Sequence, residues 1–458
     1  MKIKQAQKIY CVGIGGIGVS GLARLALGMG KLVAGSDIRR SEVTDRLEKF
    51  GIKILIGQNE QNLNAFKPDL IIYSQDVADF KWPNGITKLT QAQAIGELMQ
   101  DHYGIGVTGT NGKSTTTAML GLILDRAKLD PTVLIGSILA SKNETEKFQA
   151  NARLGNGKHF VTESDEYARK MLQNKPKMII VTNIAEDHLD YYKDLSDIKS
   201  AFLEYVKSLP QDGILIYNAD DHNTVDVCKQ ATCHKFTFGI HHYADLQAIN
   251  LKHETGNMKQ GFDLHLNDGK IGSFKLQVPG LFNVSNALGA ALAAIKLGVK
   301  FETIQKTLGE YAGIWRRFET VGKLEGKPVI SDYGHHPAAI VATLEAAKEF
   351  YPGKKVLVVF QPHHRNRTKA LFGEFIEALM KVEEVIIPEI FDVSGREHGE
   401  QISSKDLVDE LVKRGVKAIF TQDLDETAEL IKAKAKDFDL ILAMGAGDID
   451  TMARKLVK

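Results

Sequence analysis

Short apolar runs alternate along most of the chain with longer stretches whose apolar positions recur at helical spacing. That alternation predicts parallel α/β layers, and it falls into three blocks. The first, residues 1–99, carries strands over 9–12, 33–35, 53–56 and 70–73, with a glycine turn and a helix after the first of them. It reads as a small doubly wound domain. The second, residues 100–313, opens with a strand over 105–108 and a helix from Lys113, then places strands over 159–162, 178–182 and 214–217. Its end changes period: Phe262, Leu264, Leu266, Ile271, Phe274 and Leu276 alternate around Asp268 and Gly269, which predicts antiparallel hairpins turning at that pair. An alanine-rich helix over 283–297 follows. The third block, residues 314–458, repeats strand and helix, with strands at Val329 and over 356–360, 384–387, 418–420 and 440–444. It too reads as doubly wound, without a glycine fingerprint at its start.

Composition narrows the function more than the fold. A chain of 458 residues suits about three domains. With 43% hydrophobic and 25% charged residues, disordered, collagen and coiled-coil chains are excluded. Lys+Arg 58 against Asp+Glu 57 leaves no basic field, so neither nucleic acid nor a membrane surface is an expected partner. No run reaches the roughly 20 apolar residues of a membrane span. Lys2 and Lys4 before the apolar run from Ile9 imitate a signal peptide, but Gly13, Gly15, Gly16 and Gly18 interrupt it and Arg24 follows. Cytoplasmic residence is expected. Cys11, Cys228 and Cys233 form no disulfide framework, and Cys228, Cys233 and His234 lack a second ligand pair at zinc spacing.

Two motifs handle phosphate. Gly13, Gly15, Gly16 and Gly18 satisfy GxGxxG between strand and helix, with Asp37 at the end of the next strand where a ribose-binding acid would stand. This predicts a diphosphate-bearing nucleotide. The second run, Thr108, Gly109, Thr110, Asn111, Gly112, Lys113, Ser114, Thr115 and Thr116, lies where a strand gives way to a helix. Its glycine N–H groups would cradle phosphates, Lys113 would reach the outer ones and Ser114 could ligate Mg²⁺. A dehydrogenase needs only the first site and a simple NTPase only the second; a nucleotide-activated substrate plus ATP uses both.

Carboxylates cluster after two predicted strands, in Glu163, Asp165 and Glu166 and in Glu186, Asp187, His188 and Asp190, where open sheets place their ligands. In the third block Asp332, Tyr333, Gly334, His335, His336 and Pro337 follow one strand, and Gln361, Pro362, His363, His364, Arg365 and Arg367 follow the next. Neighbouring strand ends with His and Arg suit anion binding. The Arg316–Arg317 pair sits just after the second boundary.

These features, with Asp130-Pro131-Thr132-Val133, Asn151-Ala152-Arg153-Leu154-Gly155 and Arg316-Arg317-Phe318-Glu319, resemble the Mur ligase family, ATP-dependent amino acid ligases of peptidoglycan precursor synthesis. The resemblance covers essentially the whole chain and is greatest to the branch that adds L-alanine. It implies an N-terminal Rossmann-like domain for a UDP sugar, a central P-loop ATPase-type domain of mixed sheet, and a C-terminal Rossmann-like domain that closes over ATP. It implies that UDP-N-acetylmuramate and L-alanine are joined through an acyl phosphate, with ATP and Mg²⁺ as cofactors, by a monomer or homodimer. Lys113 would hold the β- and γ-phosphates; Ser114, Glu163 and His188 would ligate metal. Asn286 would contact adenine, Arg317 and Asp332 would complete the nucleotide site, and His363 and Arg367 would face the amino acid. Gly13, Gly15, Gly16, Gly18, Asp37, His335 and His336 would bind the sugar nucleotide.

The sequence departs from that branch where Asn111 replaces a usual His, and where His364 and Arg365 replace a usual Arg and Tyr. The second change adjoins the expected amino acid site. Several other Mur ligases carry a carbamylated lysine fourteen positions after the motif histidine; here that position is Phe202. Alternatives are a Mur-type ligase adding a different amino acid or a peptide, a nicotinamide-dependent oxidoreductase using the first motif alone, and a nucleotide-switched binding protein.

Overall fold

A computed structural model describes residues 2–75, 77, 82–145, 148–188, 191–254, 259–391 and 402–457. Leu189 and Asp190 of the second acidic cluster lie outside the described residues. The architecture is α/β throughout, with one sheet of five strands, one of ten and one of six.

The five-stranded sheet is all parallel, in the order Lys53–Ile56, Leu32–Asp37, Lys8–Val12, Leu70–Tyr73, Thr87–Thr90. Its central strands are apolar on both faces, as a helix-covered parallel sheet requires, and Tyr10, Val12, Ala34, Leu63 and Ile71 fill one side. Thr87–Thr90 is an edge strand whose sequence, Thr-Lys-Leu-Thr, has one apolar residue. Nothing in its pattern marks it as a strand.

The ten-stranded sheet positions the site. Tyr103–Thr108 lies between His159–Glu163 on one side and Met178–Val181 on the other, all parallel. The chain leaves the middle strand toward one edge and later returns to build the other, so strand order reverses there. Ligands of open α/β sheets bind outside the carboxyl ends of strands at such a point. The hairpin strands Lys259–Leu266 and Gly269–Leu276 belong to the same sheet, near its far edge. Their turn falls one residue earlier than expected: Asn267 (φ 47°) and Asp268 (φ 67°) are the left-handed pair, and Gly269 already lies in the strand. Asn and Asp tolerate that region because their short side chains bond locally, so the glycine is not needed at the corner.

The six-stranded sheet runs Glu319–Leu324, Lys327–Asp332, Leu440–Met444, Val356–Phe360, Glu384–Pro388, Lys417–Thr421. Only the first strand is antiparallel, hairpinned to the second through Glu325 and Gly326 at positive φ. That polar edge strand was not expected.

By internal packing the chain forms two compact units. One comprises Met1–Leu251, Gly261–Leu276 and Leu281–Ala312; the other comprises Lys252–Gln260, Gln277–Gly280 and Gly313–Lys458. The five- and ten-stranded sheets share the first unit. Asn151 joins them: its amide donates to Ile17 O at 2.7 Å and to Ser20 Oγ at 3.0 Å, in the first turn of the helix Ile17–Gly28. Arg24 on that helix donates back to Gln149 O and to Ala152 O.

Candidate active site

The strand Tyr103–Thr108 ends on a glycine turn that only glycine fits. Gly109 has φ 132°, and a Cβ there would stand 2.1 Å from Thr182 Oγ1 and 2.9 Å from Asn183 O. Gly112, at φ 88°, heads the helix Lys113–Arg126. Asn183 braces the turn from the neighbouring strand end: Thr110 N donates to Asn183 O at 2.9 Å, Asn111 N to Asn183 Oδ1 at 3.0 Å, and Asn183 Nδ2 returns a bond to Asn111 O at 2.9 Å. Thr182 Oγ1 donates to Asn111 O at 2.5 Å. Sequence reasoning did not single out either residue; their position directly after a parallel strand was the available signal. Thr115 is buried in the first turn of the helix.

Lys113 lies at the head of that helix with Nζ 2.8 Å from Glu166 Oε1, 2.5 Å from Gly109 O and 3.1 Å from Thr110 O. Glu166 is 2% exposed and its Oε2 has no partner. Burial pushes the Glu166 carboxyl up to about 7 against the pull of Lys113. For Lys113 burial works downward, but Glu166, Asp165 and Glu163 together carry the ammonium above its ordinary value. The ammonium is therefore the fixed charge of the pair. Glu166 belongs to the acidic run whose carboxylates the sequence offers as candidate Mg²⁺ holders, and here it is engaged by Lys113.

Ser114 Oγ donates to Glu163 Oε2 at 3.0 Å, and Gly136 N donates to Glu163 Oε1. Two hard oxygens thus meet beside the glycine turn. Among the described residues no three His, Cys, Asp or Glu side chains converge as a metal cage. A hydroxyl and one carboxylate fit Mg²⁺, which takes its remaining ligands from phosphate and water. His188, at φ 55°, holds Nε2 3.8 Å from Glu166 Oε1 and 3.8 Å from Asp187 Oδ2, with its ring against Tyr167.

Asn286, expected to contact adenine, lies beside the glycine turn. It is 6% exposed on the helix Leu281–Lys296, accepts from Thr116 Oγ1 at 3.3 Å, and leaves no room for a Cβ on Gly112, which would come within 2.3 Å of its Oδ1. It buttresses the glycine turn, because its helix packs on the helix Lys113–Arg126.

In the five-stranded sheet Gly13 takes φ 73° and Gly16 N closes the turn on Gly13 O. A Cβ on Gly18 would meet Gln91 at 1.8 Å, so this glycine lets the helix Gln91–Gln100 approach. Gly15 N donates to Asp37 Oδ2 at 2.8 Å. Asp37, expected to face a ribose, is turned onto the glycine turn as an internal anion, the group that a helix N-terminus attracts.

The second unit carries the remaining candidates. Asp332, expected in the nucleotide site, is 7% exposed and accepts from Phe318 N at 2.8 Å, Gly334 N at 2.8 Å and Thr343 Oγ1 at 3.1 Å. Its carboxylate organises two turns, including left-handed Arg316 and Phe318. Arg317 lies over the Tyr333 ring, and Arg316 is tied to Gly445 O and Gly447 O. His335 Nδ1 lies 3.0 Å from Tyr333 O, and His336 precedes the helix Pro337–Phe350. The His335 and His363 rings are 6.1 Å apart, and His363 stacks on Phe391 with 10° between planes. Burial, then the positive neighbourhood of His364, His335, Arg367 and Arg316, holds His363 down at about 3. It is thus a neutral imidazole with a buried Nδ1 that has no hydrogen-bond partner. Arg365 is engaged inside the unit, bonded to Ile402 O and 3.7 Å from Glu389.

Comparison with known proteins covers all these parts. The Mur ligase family catalytic domain matches residues 8–103, the Mur ligase middle domain 107–294, and the Mur ligase glutamate ligase domain 316–447. A UDP-N-acetylmuramate–L-alanine ligase of Caldanaerobacter subterraneus is 37% identical over 463 residues, covering 100% of this chain and 98% of that protein. That of Acetivibrio thermocellus is 38% identical, covering 98% and 95%. Among solved structures, UDP-N-acetylmuramate–alanine ligase of Thermotoga maritima superposes with a TM-score of 0.82 at 30% identity, 98% of each chain being covered. A murein peptide ligase of Psychrobacter arcticus gives 0.73 at 26% identity, again over 98% of each.

Proposed function

The chain belongs to the Mur ligase family, and from that premise we propose that it joins L-alanine to UDP-N-acetylmuramate at the expense of ATP, in peptidoglycan precursor synthesis. The observation that carries this reading is the pairing of a glycine turn bearing Lys113 with a second glycine turn at Gly13–Gly18, both within one compact unit. One turn serves ATP and the other the UDP sugar.

The lactyl carboxylate of the sugar attacks the γ-phosphate and ADP leaves, giving an acyl phosphate. Two anions must meet in that step, and Lys113, with the N–H groups of the turn at the head of its helix, offsets the accumulating charge. Bound Mg²⁺ would neutralise phosphate charge further, held by Ser114 and Glu163. The amino acid's amine then attacks the activated carbonyl and phosphate departs. Arg367 would hold its carboxylate, and the amine attacks in its neutral form, the proton it then loses passing to the departing phosphate. Water must be kept from the acyl phosphate throughout, which gives domain closure its purpose. The domain boundaries that serve this scheme are near residues 99 and 313. A reaction fed by ATP and a UDP-linked sugar belongs in the cytoplasm; consistent with that, no helix among the described residues is long and apolar enough to cross a membrane.

The test is coupled phosphate release. UDP-N-acetylmuramate and L-alanine together should stimulate it strongly, and either alone should not. A nucleotide-switched binding protein would hydrolyse ATP without the sugar, and that result would displace the ligase reading.

A further inference from the structure

An ammonium has three protons to donate, and all three of Lys113 are used, on Gly109 O, Thr110 O and Glu166 Oε1. A phosphate oxygen can be bonded by Lys113 only if one of these is given up. The carbonyls are fixed, because Asn183 and Thr182 bond the Thr110 and Asn111 backbone from the adjoining strand end. Glu166 is the partner free to yield. Its carboxylate is half satisfied, since Oε2 is buried without a hydrogen-bond partner, and on Oε1 the Lys113 ammonium at 2.8 Å is a nearer and stronger attachment than His188 Nε2 at 3.8 Å.

We propose that Glu166 is a positioning residue that holds Lys113 in the nucleotide-free enzyme as a stand-in for phosphate, and that ATP binds by displacing it. The proposal rests on the assignment of Lys113 to ATP phosphates. Separating Lys113 from Glu166 leaves a buried carboxylate without its counter-charge, a costly state that subtracts from nucleotide affinity. Affinity is thereby kept low enough for ADP to leave after turnover, while the lysine is never left to wander from the turn.

Glu166→Gln keeps the shape and an acceptor for Lys113 but removes the charge. Titration with Mg-ADP should show Kd falling by about fivefold, because a neutral acceptor holds an ammonium less tightly than a carboxylate does. KM for ATP should fall with it, and kcat should change less than KM. In a Lys113→Met background the same substitution should bring no gain. An unchanged or weaker ADP affinity in Glu166→Gln overturns the proposal, and so does a gain that persists without Lys113. If Lys113→Met alone leaves ADP affinity untouched, the phosphate assignment of Lys113 fails as well. Should Glu166→Gln not fold, Glu166→Asp serves in its place: retracting the charge by one methylene should give a smaller gain of the same sign.

Discussion

At the scale of single residues, charge decides roles that residue type left open. Lys113→Ala should lower ligase turnover on the order of 10²–10³ while UDP-N-acetylmuramate still binds, because the lost ammonium serves the ten-stranded sheet and not the glycine turn of the first. A variant keeping half the wild-type rate in steady-state assays would remove Lys113 from the chemistry. His363 makes a separate case. Its ordinary value is 6.5 and its folded value about 3, so the unfolded chain takes up a proton in that window and the folded chain resists it. Its contribution is therefore complete above about pH 6.5 and is lost as pH falls toward 3. Nitrogen NMR of labelled histidine should find His363 neutral from pH 8 down to 5, and a urea midpoint that drops less between pH 7 and 5 in His363→Gln than in wild type. A ring titrating near 6.5 would return it to a cationic role. None of this was legible in the run Pro362-His363-His364-Arg365: which histidine is neutral, and which arginine is engaged, depends on Phe391, Glu389 and Ile402, far off in sequence. Asp332 and Asn286 were visible as polar residues at strand and helix ends, but their burial against Phe318 N and Thr116 is a matter of packing.

At the scale of elements, sequence periodicity recovers most central strands and also the edge strands Lys53–Ile56, Gly269–Leu276 and Lys417–Thr421, which carry apolar positions, while the interior strands Thr132–Leu134 and His234–Gly239, short or polar, go unmarked. Tyr103–Thr108, Met178–Val181 and Leu440–Met444 are buried on both faces and read as continuous apolar runs. Thr87–Thr90 and Glu319–Leu324 lie at sheet edges, where one face meets water and polar residues are tolerated, so their pattern carries no signal. Glycines at strand-to-helix turns were legible for the same reason that they are indispensable. Gly109→Ala forces a side chain into φ 132° and against Thr182 and Asn183. It should cost about 1–3 kcal/mol in strain, seen as a lower denaturation midpoint of the first unit, and abolish ADP binding by calorimetry. Normal ADP affinity in that variant would show the turn to be no phosphate cradle. The helix Leu195–Lys207 carries Phe202, fully buried among Ile179, Val181 and Tyr205. An aromatic ring packed there cannot carry a carbamate, so turnover should be the same in bicarbonate-supplemented and carbon dioxide-depleted buffer; dependence on bicarbonate would point to a modified lysine elsewhere.

At the scale of the whole molecule, the question is which amino acid the proposed reaction takes. His364 and Arg365 are one of the two places where the sequence departs from the alanine-adding branch, and an extra cation there would favour an acidic side chain. The structure assigns Arg365 other work: its guanidinium bonds Ile402 O and lies beside Glu389, so its charge is already balanced within the unit. His364 takes a left-handed backbone with its N–H on Phe391 O, and its ring packs 4.0 Å from that of His363. With Arg367 holding the α-carboxylate as proposed, Arg365, already paired with Glu389, is not a spare cation for a second carboxylate. L-alanine should have the highest specificity constant. A pocket sized for one methyl gains about 1–3 kcal/mol over glycine, so glycine and L-serine should react more slowly but measurably. L-glutamate and diamino acids should fail by size. Arg365→Ala frees Glu389 and should not raise activity with glutamate. Phosphate release with UDP-N-acetylmuramate and each amino acid in turn decides the matter: a higher kcat/KM for glutamate or a diamino acid than for alanine would move the chain to another branch of the family while leaving the acyl-phosphate chemistry intact.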